Sequence, residues 1–132
     1  MEPQKNVVIV KKGLSDKEKI LLFEQKGAAN SQLEVDEDKA NAKIQVINMN
    51  SVPECWNATW IKMDIEGAEF SVLRGAEEII KRNRPKLTIS IYHSDEDMIR
   101  IAEYIHKLVP EYKLYIRLHP RYGVDTVLYA VI

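Results

Sequence analysis

The 132 residues predict an α/β domain whose partly parallel sheet finishes in an antiparallel strand pair. Three observations carry this prediction. From Thr59 onward, apolar β-branched runs alternate with segments whose apolar residues recur at helical spacing. Pro85 and Pro110 stop the two helical segments. The last two strand-like runs have only a turn between them. Alternating strands and helices imply parallel neighbours with right-handed crossovers, whereas a short connection implies antiparallel ones.

Taken in order, residues 6–10 (NVVIV) form a continuous apolar run and read as a strand buried on both faces. Residues 13–16 (GLSD) carry turn chemistry. Residues 19–23 (KILLF) read as a second strand. Residues 24–42 are polar, with Gly27, Asn30 and several acids, and read as a long loop with room for a helical turn. Residues 43–49 (KIQVINM) alternate as a strand does, and Pro53 closes the segment.

Residues 59–65 (TWIKMDI) form a strand that runs straight into Glu66 and Gly67. Val72, Leu73, Ala76, Ile79 and Ile80 then lie on one helical face. That helix ends before Pro85, because the residue preceding a proline avoids the α region. The basic stretch 81–86 (KRNRPK) falls at its end, where cations complement the helix dipole. Residues 87–92 (LTISIY) are the next strand. Ser94 is a helix N-cap, followed by Asp95, Glu96 and Asp97 in the first turn. Met98, Ile101, Ala102, Ile105 and Leu108 form the stripe to be buried. Residues 112–118 and 126–132 are strands joined by a turn containing Pro120 and Gly123, expected as an antiparallel pair at a sheet edge. No internal repeat or low-complexity segment is present.

Composition sets outer bounds. Hydrophobic residues are 45% and charged residues 30% of the chain, which suits one soluble globular domain over 1–132. Nineteen Lys and Arg against twenty Asp and Glu give a net charge of -1, so nothing electrostatic points to nucleic acid or an anionic membrane. The lone cysteine, Cys55, excludes an internal disulfide and reads as a small buried or half-buried residue. No Cys or His cluster has zinc-ligand spacing. The apolar runs are far short of the ~20 residues of a membrane span. The N-terminus lacks a signal-peptide pattern, so a reduced, cytoplasmic setting is expected and the sequon at Asn57 reads as chance.

The chemistry concentrates in residues 62–69 (KMDIEGAE). Asp64 and Glu66 are two apart and share a face at the carboxyl end of a strand. In open α/β sheets, ligands bind in the crevice beyond those ends. Gly67 permits a tight strand-to-helix turn. Glu69 falls in the first helical turn beside the same crevice. Such carboxylates can ligate a divalent cation or supply a general base. Acids at a helix start also stabilise the helix without any function, which is the plainer reading for Glu69. Asp64, after apolar residues at the end of a central strand, is a costly idle carboxylate and reads as functional.

Residues 61–75 (IKMDIEGAEFSVLRG) resemble the signature of FkbM-type methyltransferases. The resemblance continues through residues 84–87 (RPKL), Tyr92-His93, Asp97, Tyr112, Arg117, His119 and residues 126–130 (TVLYA), and upstream through residues 6–16. It implies a partial Rossmann-like class I methyltransferase sheet and S-adenosylmethionine-dependent methyl transfer to an oxygen of a sugar, lipid or other small molecule. It places Asp64, Glu66 and Glu69 around the reaction site. His93 opens into the same crevice as a base or an orienting group, and Ser15 and Asp16 stand where such enzymes contact the cofactor's adenine. His106 is expected on a helix surface and His119 in a loop.

The chain departs from the family pattern in two ways. Its five glycines are isolated, with no G-x-G, so the glycine-rich cofactor turn expected of the family's N-terminal segment is absent. Asn50 stands near where many relatives carry Asp. The first departure leaves residues 6–10 without their usual neighbours, so the expectation is either a truncated methyltransferase-like domain over 1–132 or a chain whose copies pair through the open edge. A non-catalytic remnant serving as a binding or dimerisation module is the alternative to an enzyme. A metal-dependent hydrolase built on Asp64, Glu66 and Glu69 lacks a further ligand at convincing spacing.

Overall fold

The computed structural model describes residues 6–24, 32–33, 42–119 and 125–132. The first of its two four-stranded sheets contains β1 (Gly13–Leu14), β2 (Lys19–Glu24), β3 (Gln32–Leu33) and β4 (Ala42–Ile47), in the order β1-β4-β2-β3. β1 runs parallel to β4, and β2 is antiparallel to both β3 and β4. The strands expected at 19–23 and 43–49 are therefore present, the second ending at Ile47, with Met49 starting a 3-10 turn. The strand expected at 6–10 is not: those residues are irregular and exposed, Ile9 at 77%. An apolar run becomes a buried strand only with a ladder partner and covered faces, and among the described residues none lies beside it. Gly13 and Leu14, read as a turn, pair with β4 instead. Most of the expected loop at 24–42 lies outside the described residues, as does the turn with Pro120 and Gly123.

The second sheet holds β5 (Trp60–Met63), β6 (Lys86–Ser90), β7 (Lys113–His119) and β8 (Asp125–Val131), ordered β5-β6-β8-β7. β5 and β6 are parallel, and β8 is antiparallel to both β6 and β7. The α/β class and the terminal antiparallel pair hold, with β7 at the edge and β8 inside. His119 belongs to β7 rather than to a loop, paired in register with Asp125.

The single helix expected after Gly67 is two, α1 (Glu69–Gly75) and α2 (Glu77–Asn83), separated at Ala76 with φ -110° and ψ 7°. The break comes where Gly75 meets the chain of the first sheet: a Cβ there would lie 2.1 Å from the Ser15 carbonyl oxygen. Val72, Leu73, Ala76, Ile79 and Ile80 are all buried nonetheless. α3 (Asp95–Leu108) starts at Ser94, whose side chain accepts the Asp97 amide at 3.0 Å. Ile101 and Ile105 are buried, whereas Met98 is exposed and Asp97 turns inward. Arg100 explains the exchange: it pairs with Asp97 and lies 4.1 Å from the Phe70 ring of α1.

The core forms where these helices cover one face of the second sheet. Ile61, Met63, Leu87, Ile89 and Leu128 pack with Leu73, Ile80, Ile101 and Ile105, each such side chain contributing about 1.5–3 kcal/mol. Tyr112 closes its far end by donating to the Pro85 carbonyl at 2.5 Å. Asn50 fastens the sheets' connection to α2, its side-chain oxygen accepting the Ile79 amide at 3.3 Å. Among the described residues, no helix is long and apolar enough to cross a membrane.

Candidate functional site

Ile61 and Met63 point into the core, so Lys62 and Asp64 face the other side of β5. After Asp64 the chain must reverse into α1. It does so through Glu66 (φ 57°) and Gly67 (φ 97°), two left-handed residues in succession. Glycine adopts that conformation freely, but glutamate pays roughly 1 kcal/mol for it. Glu69 supplies the compensation. Its carboxylate is 1% exposed and accepts the Ile65 amide at 2.8 Å on Oε1 and the Gly67 amide at 3.0 Å on Oε2. Glu69 thus clasps the turn that presents Asp64 and Glu66, a structural task that its position in the first helical turn foreshadows.

The parallel β5–β6 pair delivers the second part. Both strands end on the same side of the sheet, which brings Tyr92 and His93 beside the turn. His93 Nδ1 lies 3.4 Å from Glu69 Oε1, and its Nε2 lies 3.5 Å from Glu66 Oε2 and 3.8 Å from Asp64 Oδ1. Tyr92 stacks on His93 at 4.1 Å and donates its hydroxyl to Asp64 Oδ1 at 3.0 Å. Asp64, Glu66, Glu69 and His93 therefore converge. Tyr92 was legible only as the end of a strand, and its part in the cluster follows from one stacking contact and one hydrogen bond.

Ser15 and Asp16 lie outside this cluster. Buried Ser15 lines a cavity of about 540 Å³ between the sheets, which Gly13, Met63, Ile65, Glu66 and Gly67 also line. Asp16 is not among its lining residues; its carboxylate accepts the Ser15 hydroxyl at 3.2 Å and lies 3.8 Å from Arg74. A smaller cleft of about 220 Å³ is walled by Asp64, Tyr92, His119, Asp125 and Tyr129. Lys62 and Met63 line both spaces, so the end of β5 separates them. His119 belongs to that cleft and contacts the Tyr129 hydroxyl at 3.1 Å. His106 is exposed on α3, as expected. Burial pushes the half-buried Cys55 thiol up, which makes it a poorer nucleophile.

Burial and the bond to Asp64 push the Tyr92 phenol up to about 12, with Glu66 and Asp125 adding to the effect. Tyr104, through burial and Glu77, and Tyr112, through burial, also rise to about 12. The unfolded chain gives up these protons near pH 10, before the folded one does. The stability they contribute is therefore complete below about pH 10 and is lost as pH rises towards 12. We expect urea midpoints to fall across that window, and ultraviolet titration to show these phenols ionising later than the unfolded chain's. A midpoint flat to pH 12 would contradict it.

Two comparisons match the chain. The methyltransferase FkbM domain, as a family model, matches residues 3–113. The crystal structure of a methyltransferase FkbM from Methylobacillus flagellatus KT is similar with a TM-score of 0.70 and 31% sequence identity, over 91% of this chain and 27% of that one. The chain thus spans 27% of the length of the structure it matches. No curated protein matches it.

Proposed function

The chain belongs to the methyltransferase FkbM family, and we propose that it serves S-adenosylmethionine-dependent transfer of a methyl group to an oxygen of a small molecule or sugar. One observation carries the reading: Glu66 lines a cavity of about 540 Å³ and Asp64 a neighbouring cleft, with His93 facing both carboxylates.

The residues present suit the cofactor in size and character. A cavity of about 540 Å³ falls in the range of small-molecule sites. Its wall is apolar at Leu14, Met63, Ile65 and Val72, with Ser15, Ser71, Lys12, Lys19 and Lys62 as polar residues and the Glu66 carboxylate suited to a positive sulfur. Ser15, Ile65 and Glu66 would hold the cofactor. When bound, it supplies a methyl group on a sulfonium that needs no further activation. The protein's share is then to position an acceptor and take its proton. Asp64, aligned by Tyr92, holds the acceptor hydroxyl in the smaller cleft. Asp64, Glu66 and His93 are the bases that receive the proton, and Glu69 steadies the imidazole from its Nδ1 side.

Calorimetric titration with S-adenosylhomocysteine, in the presence of a chelator, tests this. Micromolar binding, about -8 kcal/mol, is expected. The absence of heat would overturn the assignment of Ser15, Ile65 and Glu66 to the cofactor.

A further inference from the structure

We propose that Asp64, Glu69 and His93 form a site for a divalent transition cation, Zn²⁺ or Mn²⁺. Each residue offers one ligand atom, and these atoms lie within 4.8 Å of one another. The separations about His93, 3.4, 3.5 and 3.8 Å, are too long for good hydrogen bonds, which fall near 2.7–3.2 Å. The Nδ1–Glu69 separation of 3.4 Å suits a shared ion better, since two donors each about 2.1 Å from one tetrahedral cation lie about that far apart. Asp64, 48% exposed, completes the set within the 4.8 Å span.

A second observation is independent of the carboxylates. The His93 side chain is only 11% exposed, and both ring nitrogens are enclosed without a hydrogen-bond partner. A buried polar group left so calls for an ion or a water to satisfy it. Glu69 lies 3.4 Å from Nδ1 and Asp64 3.8 Å from Nε2, and one ring nitrogen with one oxygen of each carboxylate falls within the 4.8 Å span. Glu69 is preorganised by the Ile65 and Gly67 amides and keeps free lone pairs on both oxygens.

The donor set decides the metal class. Imidazole nitrogen with carboxylate oxygen suits zinc or manganese, whereas calcium and magnesium favour oxygen alone. Three protein ligands, of which Asp64 reaches solvent, leave a position for an exogenous oxygen. The site stands on this geometry whether or not a methyl group is transferred. Joined to the transfer reading, the cation would acidify the acceptor hydroxyl, and its proton would pass to Glu66, whose side chain is 83% exposed.

The test titrates the chelator-stripped chain, without cofactor, with MnCl₂ followed by electron paramagnetic resonance, and with ZnCl₂ in competition. One saturable ion per chain is expected. Asp64→Asn and His93→Gln should each weaken binding at least about tenfold while the circular dichroism spectrum stays unchanged. Asp64, being half exposed, carries the test if the histidine variant misfolds. No saturable binding would overturn the proposal, as would variants that bind like wild type or a preference for Mg²⁺ or Ca²⁺. The chelated S-adenosylhomocysteine titration reads separately, so loss of the cation site leaves the transfer reading standing.

Discussion

Gly75→Ala is expected to destabilise the chain by about 3 kcal/mol, or roughly 10 °C in Tm for a domain of this size. Helix propensity alone argues the opposite sign, since alanine is about 1 kcal/mol better than glycine within a helix. Contact decides against it. The new methyl carbon would sit 2.1 Å from the Ser15 carbonyl oxygen and 3.1 Å from Asn48 Cβ. Ser15 O is backbone, in a residue whose amide is tied to the Ile47 carbonyl at 2.9 Å. Relief therefore requires α1 to shift from the first sheet or the Ser15–Ile47 bond to break. Urea denaturation measures the loss. Since Ser15 lines the larger cavity, S-adenosylhomocysteine affinity should fall with it. A variant as stable as wild type would show that the sheets do not meet at Gly75.

That contact also shows where sequence reading stops. Nothing local marks Gly75 as special: it sits within a helical pattern, and its partner is sixty residues upstream in chain order. The buried stripe of α1 and α2 was legible because Val72, Leu73, Ala76, Ile79 and Ile80 obey one period, but the break at Ala76 lies next to that distant contact. Residues 6–10 failed for the converse reason. NVVIV has every property of a buried strand except a neighbour, and burial is a property of the pair. Met98 and Asp97 exchanged places because an aspartate paired with Arg100 can turn inward, while periodicity counts only apolar residues.

The candidate site divides in the same way. Asp64, Glu66 and Gly67 could be placed because the end of a strand fixes direction, and the parallel β5–β6 pair brings the next strand's end alongside. His93 followed from that topology. Tyr92 and His119 did not, since stacking, register and a hydroxyl's partner arise only when β6, β7 and β8 are assembled. Ser15 and Asp16 were read as one unit, yet neighbouring residues face different ways, and only Ser15 meets the cavity.

The role of Glu69 is decided by magnitude. An acid at a helix N-terminus contributes about 0.3–1 kcal/mol through the dipole alone. A clasp on two amides contributes more, because a hydrogen bond to a charged group is worth about 1.5–3 kcal/mol and a buried donor left unpaired costs a comparable amount. Glu69→Ala leaves the Ile65 and Gly67 amides without their acceptor and releases a turn that holds Glu66 at φ 57°. We expect a loss of about 3–4 kcal/mol in urea denaturation, and Glu69→Gln, which keeps one acceptor oxygen, should lose roughly half as much. Loss of cation binding should accompany both. A loss near 0.5 kcal/mol for the alanine variant would reduce Glu69 to an ordinary helix-start acid. The turn would then owe its shape to Gly67 and its packing near His93. Losses of the expected size would instead mean that one carboxylate both builds the turn and faces the histidine, so the cluster could not form without it.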